Sequence, residues 1–306
     1  MANPDSLEQY LLLLLSDSNL PTGGFIASSG LESYLQHGHS TSTNKSETII
    51  TFLQHSLHAC TRLNLPFVTR SFGVVSRLRS PTVAPEVVRN EMVDNLRWLD
   101  QDFEAMTLNH VVRRASKAQG IALLTLYERA FAAPPPPPPK TSGVAAKHNS
   151  PIDAIMKGLV DELKAATKLG QMRGHFPICF GVLTAALGIS LASTQHLFLF
   201  LHCRSILSSA IRLNLIGPYL SHRILLHDTR PLIDQSLEQY RRTYMVPEPT
   251  HEVGKGVGEE VRAEQDYGLG APDDGDEVRG IVATTWPLGE ILQARHDQLH
   301  SKIFNS

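Results

Sequence analysis

Apolar residues that recur every three or four positions constrain this chain most, because that spacing marks one face of an α-helix and excludes a strand. Met92, Leu96, Leu99, Phe103 and Met106 carry the longest such stripe. Ile49, Ile50, Leu53, Leu57 and Cys60 carry another, and Leu197, Leu201, Ile206, Ala210 and Leu213 a third. The alternation of a half-buried strand is almost absent. The predicted fold is therefore all-α, a compact helical bundle with irregular loop insertions. With 306 residues, 42% of them hydrophobic, the chain is long enough for a large core.

Helix signals divide the chain. Ser6 can cap a first helix with Tyr10–Leu15 as its interior, stopped by Pro21 and two glycines. GLESYLQHG reads as a short helix closed by Gly38, Thr43 or Asn44 as the next cap, and Pro66 as the start of a further segment. The long tract from Val87 continues less cleanly to Phe131, with Gly120 as a close-packing site or a break. Helix returns over 152–170. The 182–201 stretch approaches the length of a membrane span, but Gly188, Ser190 and Ser193 interrupt it, which favours two buried helices. Thr194–Leu215, Leu220–Leu226 and Pro231–Tyr244 complete the helices of the body.

Two segments break the pattern. Residues 134–139 are six consecutive prolines, where helix must end. The 133–150 tract reads as an extended loop insertion, with recognition by an aromatic-grooved module as the alternative. Residues 247–280 are rich in glycine and acids and read as a mobile insert. The predicted organisation is a helical body over 1–246, the insert 247–280 and an amphipathic tail over 281–306, with Trp286, Leu288, Ile291 and Leu292 anchoring a returning helix.

A net charge of -2 gives no global field for nucleic acid. Asp5 and Glu8 precede the five leucines where a secretory leader would carry Lys or Arg. Cys60, Cys179 and Cys203 form no CxxC pair, which fits a reducing compartment. These features predict a cytoplasmic chain that binds neither nucleic acid nor membrane.

Catalytic signatures are sparse. Gly254-Lys255-Gly256 lacks the context of a phosphate-binding loop, and no GxSxG elbow occurs. Pro21-Thr22-Gly23-Gly24 reads as a packing turn, with an anion nest as the alternative. Asp100 and Glu104, four apart on one helix face, read as a solvated face or as partners for Arg97, with a paired-carboxylate site as the alternative. His296 and His300 are spaced to grip one metal across a helical turn, yet Asp297 stands where a zinc peptidase needs Glu. A capped or partner-facing terminal helix is the plainer reading. His37, His39 and His251 are further weak candidates for nickel or zinc. No residue is assigned a catalytic role.

SDSNLPTGGFIASSGLE resembles the signature of the urease accessory protein F family through Ser16, Asp17, Ser18, Leu20, Pro21, Gly23, Gly24, Phe25, Ser28, Gly30, Leu31 and Glu32. GHFPICFG, SSAIRLNLIG and HDQLHSKIFNS extend the likeness over almost the whole chain. Asp297 and Lys302 replace the family's Glu and Arg, and Pro218 follows Gly217 where the family often has Gln. The two inserts look like additions of a eukaryotic member.

The resemblance implies an all-helical, dimerising, non-catalytic scaffold for nickel insertion into urease. Its implied partners are the accessory protein of the D/H family, the accessory GTPase of the G family, the urease apoprotein and a second copy of the chain. It implies no tightly bound cofactor; nickel contact is transient, and GTP belongs to the GTPase. Tyr34, Arg212 and Tyr219 are candidates for the GTPase or dimer surface. Ile291, Leu299, Lys302 and Phe304 are candidates for the D/H partner, on a tail that becomes ordered on binding. Asp17, Pro21, Gly23, Gly24, Phe25 and Glu32 would shape the loop, with Phe25 anchoring it and Glu32 fixing a backbone or arginine partner. A metal-dependent helical enzyme using the histidines near Gly174 and the C-terminus, and a helical adaptor built on the proline tract, are the alternatives.

Overall fold

The computed structural model describes residues 4–38, 44–79, 85–132, 151–244 and 282–305. Both inserts, 133–150 and 247–280, lie outside them, as do His39 and His251. The described residues form helices and connecting turns, with no strand among them. The helices are α1 (Pro4–Leu15), α2 (Leu31–Gln36), α3 (Lys45–Leu63), α4 (Leu65–Ser76), α5 (Pro85–Met106), α6 (His110–Leu126), α7 (Pro151–Lys168), α8 (Phe176–Leu187), α9 (Leu191–Arg212), α10 (Pro218–Arg223), α11 (Arg230–Tyr244) and α12 (Pro287–Ala294). Single π-helical stretches follow α6 at Tyr127–Phe131 and join α10 to α11 at Ile224–Thr229.

Several boundaries follow local chemistry. Asn44 caps α3 by accepting from Ser46 N–H at 3.1 Å. Pro66 sits in the first turn of α4, where its missing N–H costs no bond. The apolar 182–201 stretch is two helices: Gly188 closes α8 with φ 76°, and Ser190 caps α9 through Ser193 N–H. No helix among the described residues is long and apolar enough to cross a membrane.

The long tract from Val87 breaks at 107–109 rather than at Gly120, because Asn109 caps α6 by accepting from Val111 N–H and Val112 N–H. Gly120 is instead a contact point: a Cβ there would lie 2.1 Å from the carbonyl oxygen of Gly174.

The core is built around α8, whose residues from Pro177 to Ala186 are all buried. A Cβ on Gly181 would meet Ser71 Oγ at 2.1 Å and Val68 O at 2.5 Å, so α8 lies backbone to backbone on α4. Phe67 meets Phe103 edge-on at 5.1 Å, and Phe180 meets Phe198 at 5.2 Å.

The turn into α8 corrects the expectation for Asp100 and Glu104. Arg97 pairs with Asp94 and Gln171 instead. Asp100 is fully buried and accepts the backbone N–H groups of Arg173, Gly174 (3.2 Å) and His175 (2.8 Å). Burial raises the pKa of Glu104, but Lys117 and His175 more than offset it and hold the carboxyl below its ordinary value. His175 Nε2 meets Glu104 at 2.6 Å and its Nδ1 meets Ser116 Oγ at 3.2 Å, while burial pushes the imidazole below its ordinary pKa. Both carboxylates therefore hold the 173–175 turn against α5 and α6 by filling bonds that would otherwise be orphaned.

Candidate partner-binding site

The loop after α1 and the C-terminal segment form one structure. Helix α1 ends at Leu15, ahead of Pro21, and Asp17 Oδ1 accepts Asn19 N–H at 2.9 Å to turn the chain. Gly23 takes φ 72°, the left-handed conformation in which glycine escapes a Cβ penalty. A Cβ on Gly23 would have no neighbour within 4 Å, and one on Gly24 would make ordinary contact with Gln119 at 3.5 Å. Conformation, rather than close backbone approach, therefore calls for glycine at 23. Phe25 is 55% exposed and does not bury its ring as an anchor. Its carbonyl accepts from Arg212, whose guanidinium lies 5.6 Å from the Phe25 ring centroid and 5.7 Å from that of Phe304.

Glu32, in the first turn of α2, is the anchor of the tail. Its carboxylate accepts Ile303 N–H at 2.6 Å and Phe304 N–H at 3.2 Å, and meets His296 Nε2 at 3.0 Å. Around it, Ser33 Oγ donates to Leu292 O at 2.5 Å, Gln36 Nε2 to Ser301 O at 2.9 Å, and Asn305 N–H to Ile26 O at 2.9 Å. Arg114 grips Asp297 with two bonds of 2.8 and 2.9 Å and donates to Asn305 O at 3.0 Å. That fork, with help from His110 and Lys302, holds the Asp297 carboxyl well below the usual carboxylate range. Trp286 seats the other end, 5.2 Å from Phe52 and stacked 5.6 Å from His55.

These contacts redistribute the residues proposed for partners. Phe304 is 2% exposed and packs within its own chain, so its ring is not presented outward here. Tyr34 packs on Phe52 and Trp286 and belongs to the tail's seat. Ile303 (65%), Ile291 (58%) and Tyr219 (94%) face solvent, Lys302 is exposed beside Asp297, and Leu299 is half-buried. Phe25 and Ile303 are both exposed, and the Arg212 guanidinium lies over the rings of Phe25 and Phe304.

The terminal-helix reading of 296–300 is corrected, and the weak metal candidates there are not brought together. Helix α12 ends at Ala294, a 3-10 turn covers Arg295–Gln298 and Leu299 is extended, so His296 and His300 do not share a helical face. His296 is buried on Glu32 while His300 is exposed. His37 closes α2. Among the described residues no group of three or more His, Cys, Asp and Glu side chains is placed to hold a metal. Burial raises the thiol pKa of Cys60, to about 12, and those of Cys179 and Cys203 as well, which keeps all three protonated.

Sequence reasoning missed the Glu32–His296 pair and the Arg114–Asp297 fork. Their members are 264 and 183 residues apart, and no local spacing joins them.

The chain is an all-helical body whose N-terminal loop and C-terminal segment are bonded together. The chain belongs to the UreF family, whose model matches residues 43–227. It is similar to urease accessory protein 6 of Cryptococcus neoformans, 36% identical over 99% of both chains. An uncharacterized UreF-like urease accessory protein of Schizosaccharomyces pombe is 25% identical over 98% of this chain and 97% of its own. Urease accessory protein F of rice is 31% identical over 78% of this chain and 77% of its own.

Proposed function

We propose that the chain is a non-catalytic cytoplasmic scaffold for urease maturation, and a eukaryotic member of its family. It joins the accessory protein of the D/H family to the accessory GTPase of the G family and supports GTP-dependent nickel insertion into the urease apoprotein. It works as a homodimer within that complex; nickel is its cargo, contacted transiently, and the nucleotide belongs to the GTPase.

The observation that carries this reading is the near-complete alignment with a fungal urease accessory protein, which includes both the loop and the tail. Phe25, exposed beside Arg212, and exposed Ile303 support a docking role, since large hydrophobic groups and arginine are enriched in interface cores. His175, which an enzyme reading would use, has both ring nitrogens bonded inside the protein.

The experiment is urease activation in a host that lacks this chain and expresses the other accessory proteins. Restored urease activity on re-expression is expected. Activity that is the same with and without the chain would overturn the proposal.

A further inference from the structure

Beside the 16–30 loop lies a partly open cavity of about 300 Å³, lined by Leu20, Thr22 and Gly24 of the loop and by Trp286, Gly289 and Gln293 of the C-terminal segment. This volume is at the lower end of the range for small-molecule sites. Aromatic residues contribute to the wall, among them Phe52, Phe176, Phe180, Phe198 and Trp286. Polar groups also border it: the side chains of Gln119 and Gln293, and the Ser56–His202 pair joined at 2.9 Å.

The charges around the cavity are balanced and already engaged. Arg204 donates to the carbonyls of Ser16 and Asp17, and Arg212 to that of Phe25. Asp17 accepts from Asn19, and Glu290 from Thr284 at 3.4 Å. Burial pushes His202 down to about 4, so its ring is neutral near pH 7. A charged ligand entering here would lose hydration without gaining an uncommitted partner.

We infer that this cavity is a binding site for a small neutral planar molecule, with an aromatic or conjugated body against the phenylalanines and one amide- or hydroxyl-type edge toward Ser56, His202 and the glutamines. The site is independent of the scaffold reading. Because one wall is the loop and the other is the C-terminal segment, an occupant braces the two against each other.

The probe is benzamide, tested beside benzoate and benzamidinium on the full chain carrying Trp98→Phe, which leaves Trp286 as the remaining tryptophan. Benzamide is expected to shift Trp286 emission saturably, with one site per chain, and to slow hydrogen exchange over 287–305. Benzoate and benzamidinium should bind at least about tenfold more weakly. Ala59→Leu and Ser205→Leu, both on the cavity wall, should each weaken benzamide by about tenfold while keeping helical content. If one of them fails to fold, the other decides. No saturable change up to about 10 mM benzamide, equal binding of either charged analogue, or unchanged binding in a folded, filled variant would overturn the inference.

Discussion

Where α8 crosses α4, Gly181 lets two backbones touch, and the surrounding contacts are apolar and short-range. Where the tail meets the loop, Glu32, Arg114 and Ser33 hold the C-terminal segment by directional bonds. The first contact resists any added atom. The second resists loss of a single acceptor, because three donors converge on one carboxylate. A scaffold needs both kinds of contact: a body that does not open, and an attached segment that can be remodelled without unfolding it.

The largest expected effect tests the rigid contact. Gly181→Ala places a Cβ 2.1 Å from Ser71 Oγ and should cost about 3 kcal/mol or more of global stability, read by denaturant unfolding. A loss near zero would mean that the α4–α8 approach is soft, and the contrast would fail.

Glu32→Gln should loosen the tail by about 2 kcal/mol, seen as faster hydrogen exchange at 296–305 with the exchange of α8 unchanged. Global unfolding by this variant would show that tail and body are one cooperative unit.

A smaller effect per pH unit comes with acid. His202 has a folded-state value of about 4 against an ordinary 6.5, so the unfolded chain binds the extra proton between those values. Stability should therefore fall as pH drops from about 6.5 to 4, by at most about 1.4 kcal/mol per pH unit from this group. His202→Gln should remove that part of the slope, as measured by melting midpoint against pH. An unchanged slope would show that His202 is not the group responsible.

The smallest effect is at the exposed fork. Arg114→Ala should cost about 0.5–1 kcal/mol at low salt and less at high salt. Protease cleavage within the tail, measured across a salt series, reads it.

The same contrast explains what could be read in advance. Stripes such as Met92–Phe103 and caps such as Asn44 act within a few residues, so their elements were legible from spacing. Asp100 looked like a solvated carboxylate because its real partners, the N–H groups of 173–175, carry no side-chain signature. Gly120 and Gly181 show why close approach is hard to read: glycine marks it, but only the partner helix reveals it. Glu32 and His296 meet across nearly the whole chain, so their pairing is a product of topology. Phe304 could be read as packing on the body or on a partner, and only the fold shows its ring buried beside Arg212.

The most direct test of the scaffold account is light scattering of the purified chain mixed with its matching D/H-family protein. Ile303→Glu changes an exposed apolar side chain while leaving its backbone bond to Glu32 available. The account predicts a stoichiometric complex with the unaltered chain, lost with Ile303→Glu and with removal of 281–306. A complex that survives both changes would contradict the assignment of this surface, and no complex between two well-folded proteins would contradict the scaffold itself.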